Sequence, residues 1–141
     1  MMGGRNRTEI ISVRLDVRTR YAAELAAAKQ RRPLSGFVEW AVGEAIGLVP
    51  AGGNQTIADV VFQTWDPVES DRLINLGLHF PAYLSADQEM IWKVIKEHPG
   101  LKKEGVVDRA KVRKHWKKIL EVVVRFSEPW ELDVDLEGGE A

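Results

Sequence analysis

Residues 10–15 read Ile-Ile-Ser-Val-Arg-Leu, and this short segment constrains the fold more than any other feature of the sequence. From Ile11 onward the pattern alternates, with Ile11, Val13 and Leu15 on one side of an extended chain and polar residues on the other. A lone strand of this length is not stable, and nothing else in the first fifty residues has a strand pattern. The expected partner is therefore the same strand of a second copy, antiparallel across a two-fold axis.

Two helix signals follow this strand. Asp16 is a suitable N-cap for a first helix, whose apolar stripe consists of Val17, Tyr21, Leu25 and Ala28. The sequence Arg31-Arg32-Pro33 ends that helix, because the residue before a proline avoids the helical conformation. Ser35 is placed to cap a second helix over residues 36–46, which Gly47 terminates.

The order of these elements, together with the segments ISVRLD, YAAELAAA and PLSGFVEWAV, resembles the ribbon-helix-helix family of the Arc and MetJ repressors. The resemblance covers residues 8–48, about the first third of the chain. It implies an intertwined homodimer in which two paired strands form a ribbon in the major groove of DNA. The expected fold is mainly α, a module of one strand and two helices followed by a small helical bundle.

The resemblance also implies which residues read the bases. Ile10, Ser12 and Arg14 would point from the ribbon toward the base edges. Arg14 is able to donate a bidentate pair to guanine O6 and N7, and Ser12 is able to bond several bases. Ile10 departs from the family, which usually has a polar residue there, and it could only touch a thymine methyl group or make no contact with the DNA. The alternative is that Arg14 is only a solvated charge on the strand and reads no base.

A second set of residues would hold the DNA backbone. In the family the start of the second helix clamps a phosphate, which here places Ser35 and Gly36 at the phosphate. Arg31 and Arg32 lie in the preceding turn, which lacks the glycine usual in the family, and would face phosphates as well. The alternative for Ser35 is that it only caps the helix and binds no phosphate.

Glycine, proline and polar residues between Pro50 and Thr56 predict a linker over residues 50–56. The linker separates a DNA-binding and dimerisation module over residues 1–49 from a small helical domain over residues 57–126. Helices are predicted to begin at Asp66, at the capping box of Ser85 and at Asp108, and the last one runs to about Phe126. The aromatic residues expected in the core of this domain are Trp65, Phe80, Trp92 and Trp116.

Charge is strongly segregated along the chain although the net charge is only −1. Residues 99–126 hold nine basic and three acidic residues, a net charge of +6, whereas residues 127–141 hold six acidic residues and no basic one. Lys114, Lys117 and Lys118 lie on the polar side of the last predicted helix, either as a solvated face or as a second DNA surface. The acidic tail, residues 127–141, is expected either to compete for that surface or to act as a solubilising end.

The sequence predicts no enzyme, because it contains no phosphate loop, no nucleophile motif and no metal-protease motif. Without cysteine, and with only three dispersed histidines, it predicts no metal site and no cofactor. The first residues have no apolar signal-peptide region, and no apolar run is long enough for a bilayer, so we expect a cytoplasmic protein with no membrane partner.

The function that these patterns favour is sequence-specific binding of double-stranded DNA by a homodimer that acts as a transcriptional repressor. Both a single dimer and a higher-order assembly on DNA are compatible with these patterns. The alternative is an adaptor of the antitoxin or plasmid-partition type. In that case residues 57–126 would bind a protein partner while the first module anchors to DNA.

Overall fold

The computed structural model describes residues 8–125, which divide into two compact units with the boundary after Val49. The described residues are mainly helical, as the sequence predicts, with six α-helices and two short antiparallel hairpins. The helices are α1 (Val17–Lys29), α2 (Leu34–Ile46), α3 (Ile57–Thr64), α4 (Glu69–His79), α5 (Ala86–Glu97) and α6 (Arg109–Arg125). The strands are β1 (Pro50–Gly52), β2 (Gln55–Thr56), β3 (Lys102–Lys103) and β4 (Val106–Val107).

The N-terminal unit contains α1 and α2. Asp16 caps α1 as predicted, since its Oδ1 accepts a hydrogen bond from the Thr19 amide at 2.8 Å. This bond is the main cause of the lowered pKa of the Asp16 carboxyl. Ala23 and Ala27 are the residues of α1 that are buried, and their small side chains permit a close approach of α2. The predicted stripe of larger side chains is instead exposed in the single chain, with Val17 87% and Tyr21 62% exposed.

The strand expected over residues 10–15 is absent from the single chain, in which residues 8–16 have no regular secondary structure. Neither described hairpin includes any of these residues. A strand is defined by its hydrogen bonds to a neighbouring strand, and the proposed neighbour belongs to a second copy.

The prediction that Ser35 caps α2 is wrong. The helix begins at Leu34, its N-cap is Pro33, and no side chain caps it. Pro33 has an extended conformation with φ −63° and ψ 157°, and its carbonyl accepts the first helical hydrogen bond, from Phe37. Ser35 therefore lies in the first turn of α2 and is exposed.

The C-terminal unit starts with β1 and β2, so the residues expected as a linker form a hairpin, with Gly52 at the end of β1 and Gly53 in the turn, both at positive φ. The amide of Thr56 donates to Asp59 Oδ2 at 2.7 Å at the start of α3, a helix that the sequence analysis did not predict. The helix predicted from Asp66 begins only at Glu69, because the Asp66 carboxylate accepts a bond from the Val68 amide in a preceding turn.

The other predicted helix starts are confirmed. Ser85 and Gln88 form a capping box at α5, and Asp108 Oδ1 accepts the amides of Ala110 and Lys111 at the start of α6. Two 3₁₀ turns, Pro81–Tyr83 and Pro99–Leu101, precede and follow α5. The predicted end of the last helix at Phe126 and the acidic tail lie outside the described residues.

The hydrophobic core of the C-terminal unit lies between α4, α5 and α6. Its least exposed apolar side chains are Ile74, Ile95, Leu101, Val112 and Ile119. Trp92 is buried as predicted, and a Cβ added to Gly77 would lie 2.5 Å from its ring, so glycine at this position permits close packing. Phe80 and Trp116 are half-buried. Trp65 does not belong to this core, since it is 61% exposed beyond the end of α3.

Candidate nucleic-acid interface

The residues predicted to read bases lie in the N-terminal segment, which we define as residues 8–16. Ile10 is 98% exposed, and Ser12 and Arg14 are exposed as well. Among the described residues Arg14 forms no ion pair. These side chains are therefore accessible to a ligand.

The opposite side of the same segment is also exposed. Ile11, Val13 and Leu15 are 79%, 65% and 46% exposed, although all three are strongly apolar. Apolar residues that alternate along a segment and stay uncovered indicate a surface that a partner buries.

The residues predicted to contact phosphates come together in the turn between α1 and α2. The amide of Arg32 donates to the Ala27 carbonyl at 2.9 Å and the amide of Arg31 donates to the Ala28 carbonyl at 3.1 Å. These two bonds define a Schellman motif, in which the left-handed position is usually glycine. Arg31 occupies it with φ 55°, a left-handed conformation that a residue with a side chain adopts only at a cost.

The chemistry of this turn is suited to an anion. Arg31 and Arg32 are exposed, and the guanidinium of Arg32 lies 5.5 Å from the centre of the Trp40 ring, which orients it. The first-turn amides of α2, including those of Ser35 and Gly36, have no partner within the helix. Together they place donors and two positive charges within one turn.

An open groove of about 610 Å³ runs from this turn along α2. Its lining includes the carboxylates of Glu39 and Glu44, which would repel a phosphate. The groove itself is therefore not a phosphate site, and only the end formed by Arg32 and Gly36 is suited to one.

The basic residues of α6 fall into two groups. Arg113 Nε lies 3.4 Å from Asp71 Oδ2, and Arg109 donates to Asn75 Oδ1 at 2.7 Å, so both arginines hold α6 against α4. Lys111 is also engaged, because its Nζ donates to the Lys102 carbonyl at 3.0 Å.

The second group is the lysine row, which we define as Lys114, Lys117 and Lys118. All three are exposed, and within residues 8–125 none of their ammonium groups forms an ion pair or a hydrogen bond with a side chain. The row is a compact positive surface, and its field is felt by His115. Burial lowers the pKa of this half-buried imidazole, and the charges of Lys114 and Lys118 lower it further.

Sequence reasoning missed the contacts that separate these two groups. Asp71 is only 8% exposed, and its partners are 38 and 42 positions away in the sequence. One signal was present, since Asp71 and Asn75 are four residues apart, as are Arg109 and Arg113, so each pair shares one face of its helix.

A second missed feature is an exposed aromatic patch on α3. Phe62 is 90% exposed, and Trp65 stacks with the guanidinium of Arg72 at 4.8 Å from the ring centre. Solvated aromatic side chains of this size are common in protein-binding surfaces.

Comparison of the chain with family models, with curated proteins and with solved structures gives no match. In the part of the chain that the structure describes, no cluster of carboxylate and imidazole groups is arranged to hold a metal ion. No helix among residues 8–125 is long and apolar enough to cross a membrane.

Proposed function

We propose that this protein is a sequence-specific DNA-binding homodimer that acts as a transcriptional repressor. Two N-terminal segments would pair as an antiparallel ribbon in the major groove, with Ser12 and Arg14 of each chain against the base edges. The observation that carries the proposal is the uncovered alternating side of this segment.

A second copy would supply the stability that the N-terminal unit lacks by itself. Within residues 8–49, Ala23 and Ala27 are the buried residues, and two alanines are far too small a core for an independent unit. The large apolar side chains that would supply a core are instead exposed; they include Ile11, Val13, Leu15, Tyr21, Leu25 and Val42. Pairing with an identical surface buries them and completes the hydrogen bonds of both strands.

The polar side of that same ribbon supports DNA as the ligand. Once the apolar side is buried between two copies, Ser12 and Arg14 point away from the dimer in a two-fold arrangement. A two-stranded ribbon fits the width of the major groove, and an arginine at its surface distinguishes guanine from the other bases. The turn with Arg31, Arg32 and the first amides of α2 would then fix the ribbon on the phosphates.

The dimer is tested by the substitution Val13→Asp, analysed by sedimentation of the full-length protein at micromolar concentration. Because the substitution places an unpaired charge in the proposed interface, we expect loss of the dimer and unfolding of residues 8–49. The matched control is Val106→Asp in β4, where a valine has nearly the same exposure in the single chain, 69% against 65%. A well-folded monomeric wild-type protein would contradict the proposal.

Base reading and phosphate binding are separated by a second pair of variants. Arg14→Ala is expected to weaken binding by roughly 1–3 kcal/mol and to relax preference at one base pair per half-site. Ser35→Ala is expected to have a small effect that is equal on all DNA sequences, because phosphates carry no sequence information. Arg18→Ala, which removes an exposed charge four residues away, controls for the loss of positive charge. An unchanged sequence preference in Arg14→Ala would exclude Arg14 as a base-reading residue.

The lysine row supports a second DNA contact within the same function. Its three ammonium groups lie on one face of α6 and are not engaged by carboxylates of the described residues, unlike those of Arg109 and Arg113. If all three bind phosphates, the triple variant Lys114→Gln/Lys117→Gln/Lys118→Gln flattens the log-log salt slope of DNA binding by about 0.9 per contact. An unchanged slope would confine DNA binding to the N-terminal unit.

The aromatic patch on α3 favours a second candidate function, an adaptor whose C-terminal unit binds a protein. Phe62 and Trp65 are large and exposed, and the carboxylates of Asp59 and Asp66 lie close to them in the sequence. In that case Phe62→Ser would abolish capture of a specific protein while DNA binding persists. Equal capture by wild type and variant would leave the repressor as the better account.

A further inference from the structure

The acidic tail has a regular pattern that its net charge does not reveal. Residues 130–137 read Trp-Glu-Leu-Asp-Val-Asp-Leu-Glu, a strict alternation of apolar and acidic side chains. In an extended conformation, four carboxylates would share one side and would recur at about 6.6 Å, twice the rise per residue. A tail that only needed charge for solubility would not require this order.

The lysine row has a matching spacing. Lys114 and Lys118 are one helical turn apart, which is about 6 Å along the axis of α6, and Lys117 lies beside them. Because Asp71 already engages Arg113, and a carbonyl already engages Lys111, the row is the part of α6 best suited to new carboxylates.

Apolar surface borders the row on both flanks of α6. Leu120, next to Lys117 around the helix, packs partly buried against the core. Val122 is half-buried on the flank of Lys118. In an extended segment lying along the row, the carboxylates would face the lysines and the alternate apolar side chains would point away from α6, so charge and spacing, and not this apolar surface, would hold the segment on the row.

The connection between the two is short. Lys118 lies seven residues before Arg125, the end of α6, which is about 10 Å along the helix. Residues 126–129 span up to about 13 Å when extended, so the alternating segment begins within reach of the row. A short tether of this kind gives an effective concentration on the order of millimolar.

We propose that residues 130–137 dock on the lysine row of the same chain and cover it until DNA phosphates displace them. This segment fits the lysine row because its charge is opposite, its carboxylates recur at a similar spacing, and it is joined to the end of α6 by a short connection. Docking does not depend on DNA binding, whereas the competition with phosphates rests on the proposed function.

Docking is tested without DNA by comparing the full-length chain with a chain lacking residues 128–141. The reporter is the imidazole of His115, titrated by NMR, because the charges of Lys114 and Lys118 act on it. Docked carboxylates offset those charges, so we expect a higher His115 pKa in the full-length chain than in the truncated chain at low salt. Identical titration curves in the two chains would overturn the proposal.

The alternation is tested by adding a fluorescent peptide of residues 126–141 to the truncated chain and measuring its anisotropy. We expect salt-sensitive binding that weakens at least about tenfold in Lys114→Gln/Lys117→Gln/Lys118→Gln. The control Lys93→Gln/Lys96→Gln/Lys103→Gln removes three exposed lysines elsewhere in the unit and should keep the binding. A peptide of the same composition without the alternation should bind more weakly, and equal binding of both peptides would refute the docked arrangement.

The competition is tested separately on random-sequence DNA. Deleting residues 128–141 should tighten this binding and steepen its salt dependence, and the triple lysine substitution should remove both effects. If the His115 and peptide results hold but the truncation leaves DNA binding unchanged, the tail docks and the lysine row is not a DNA surface. If DNA binding is absent altogether, the proposed function fails while the docking result stands.

Discussion

Arg31 is the residue at which the fold and the proposed function make opposite demands. It occupies the left-handed position of the Schellman motif after α1, with φ 55°. Left-handed backbone costs a residue with a side chain roughly 1–2 kcal/mol, a cost that glycine avoids. We therefore predict that Arg31→Gly is more stable than Arg31→Ala by about 1 kcal/mol, since both variants lack the guanidinium and only the alanine keeps the strain.

The same two variants should weaken DNA binding equally. Both remove the Arg31 charge from the turn that we assign to the phosphates, and the loss should be the same on all sequences. The stability difference is measured by urea denaturation of the full-length protein together with amide exchange in the last turn of α1. DNA affinity is measured in parallel at fixed salt.

Glu104→Gly is the matched control for this experiment. Glu104 is the other described non-glycine residue at positive φ, 54°, and it lies in the hairpin turn of the C-terminal unit. The Glu104→Gly variant should gain stability because glycine relieves the left-handed strain, and it should keep its DNA affinity. If Arg31→Gly is no more stable than Arg31→Ala, the left-handed strain is misassigned. If both Arg31 variants bind DNA as tightly as wild type, the turn does not contact phosphates.

Two further predictions concern the C-terminal unit and α2. Gly77→Ala should destabilise the protein by about 1–3 kcal/mol in urea denaturation, because the new methyl group would overlap the buried ring of Trp92. Gly43→Ala has open space around the new methyl group and should stabilise α2 by about 0.5–1 kcal/mol. Equal effects of the two substitutions on stability would contradict this packing. The pKa of His115 lies below its ordinary value of 6.5, so the unfolded chain binds more protons, and stability should fall as the pH drops from 6.5 through the folded pKa. His115→Gln should remove that part of the pH dependence in urea denaturation, and an unchanged profile would show that His115 is not responsible for it.

Local signals in the sequence predicted three of the six described helix starts correctly. Asp16, Ser85 and Asp108 each satisfy amides within the next three residues, so neither partner copies nor distant contacts affect them. Ser35 failed for a local reason too, because Pro33 already has the extended conformation that a cap requires. The start of α3 was missed because its cap follows two glycines that favour a linker.

The errors in the C-terminal unit have a different origin. Whether Trp65 is buried depends on where α3 ends relative to the core. The local sequence around Trp65 does not determine that position. Strands of two residues, such as β3 and β4, are too short to show a period. The contacts of Asp71 with Arg109 and Arg113 join residues about forty positions apart, so tertiary packing alone decides them.

The sequence predicted which residues make up the candidate interface. It did not predict which of the basic residues are held by other parts of the chain and which are available to a ligand. The alternation of residues 10–15 and the basic character of α6 are visible in the sequence. Which basic residues are engaged by α4, and which remain available for a ligand, depends on the packing of the C-terminal unit.

The most direct test of the central claim is selection of bound sequences from a random pool of double-stranded DNA by the full-length protein. The account predicts enrichment of an inverted repeat, because two identical ribbon strands read two half-sites related by a two-fold axis. A guanine contacted in each half-site should lose its preference when the selection is repeated with Arg14→Ala. A pool that stays unenriched with wild-type protein, or a motif without inverted symmetry, would contradict the account.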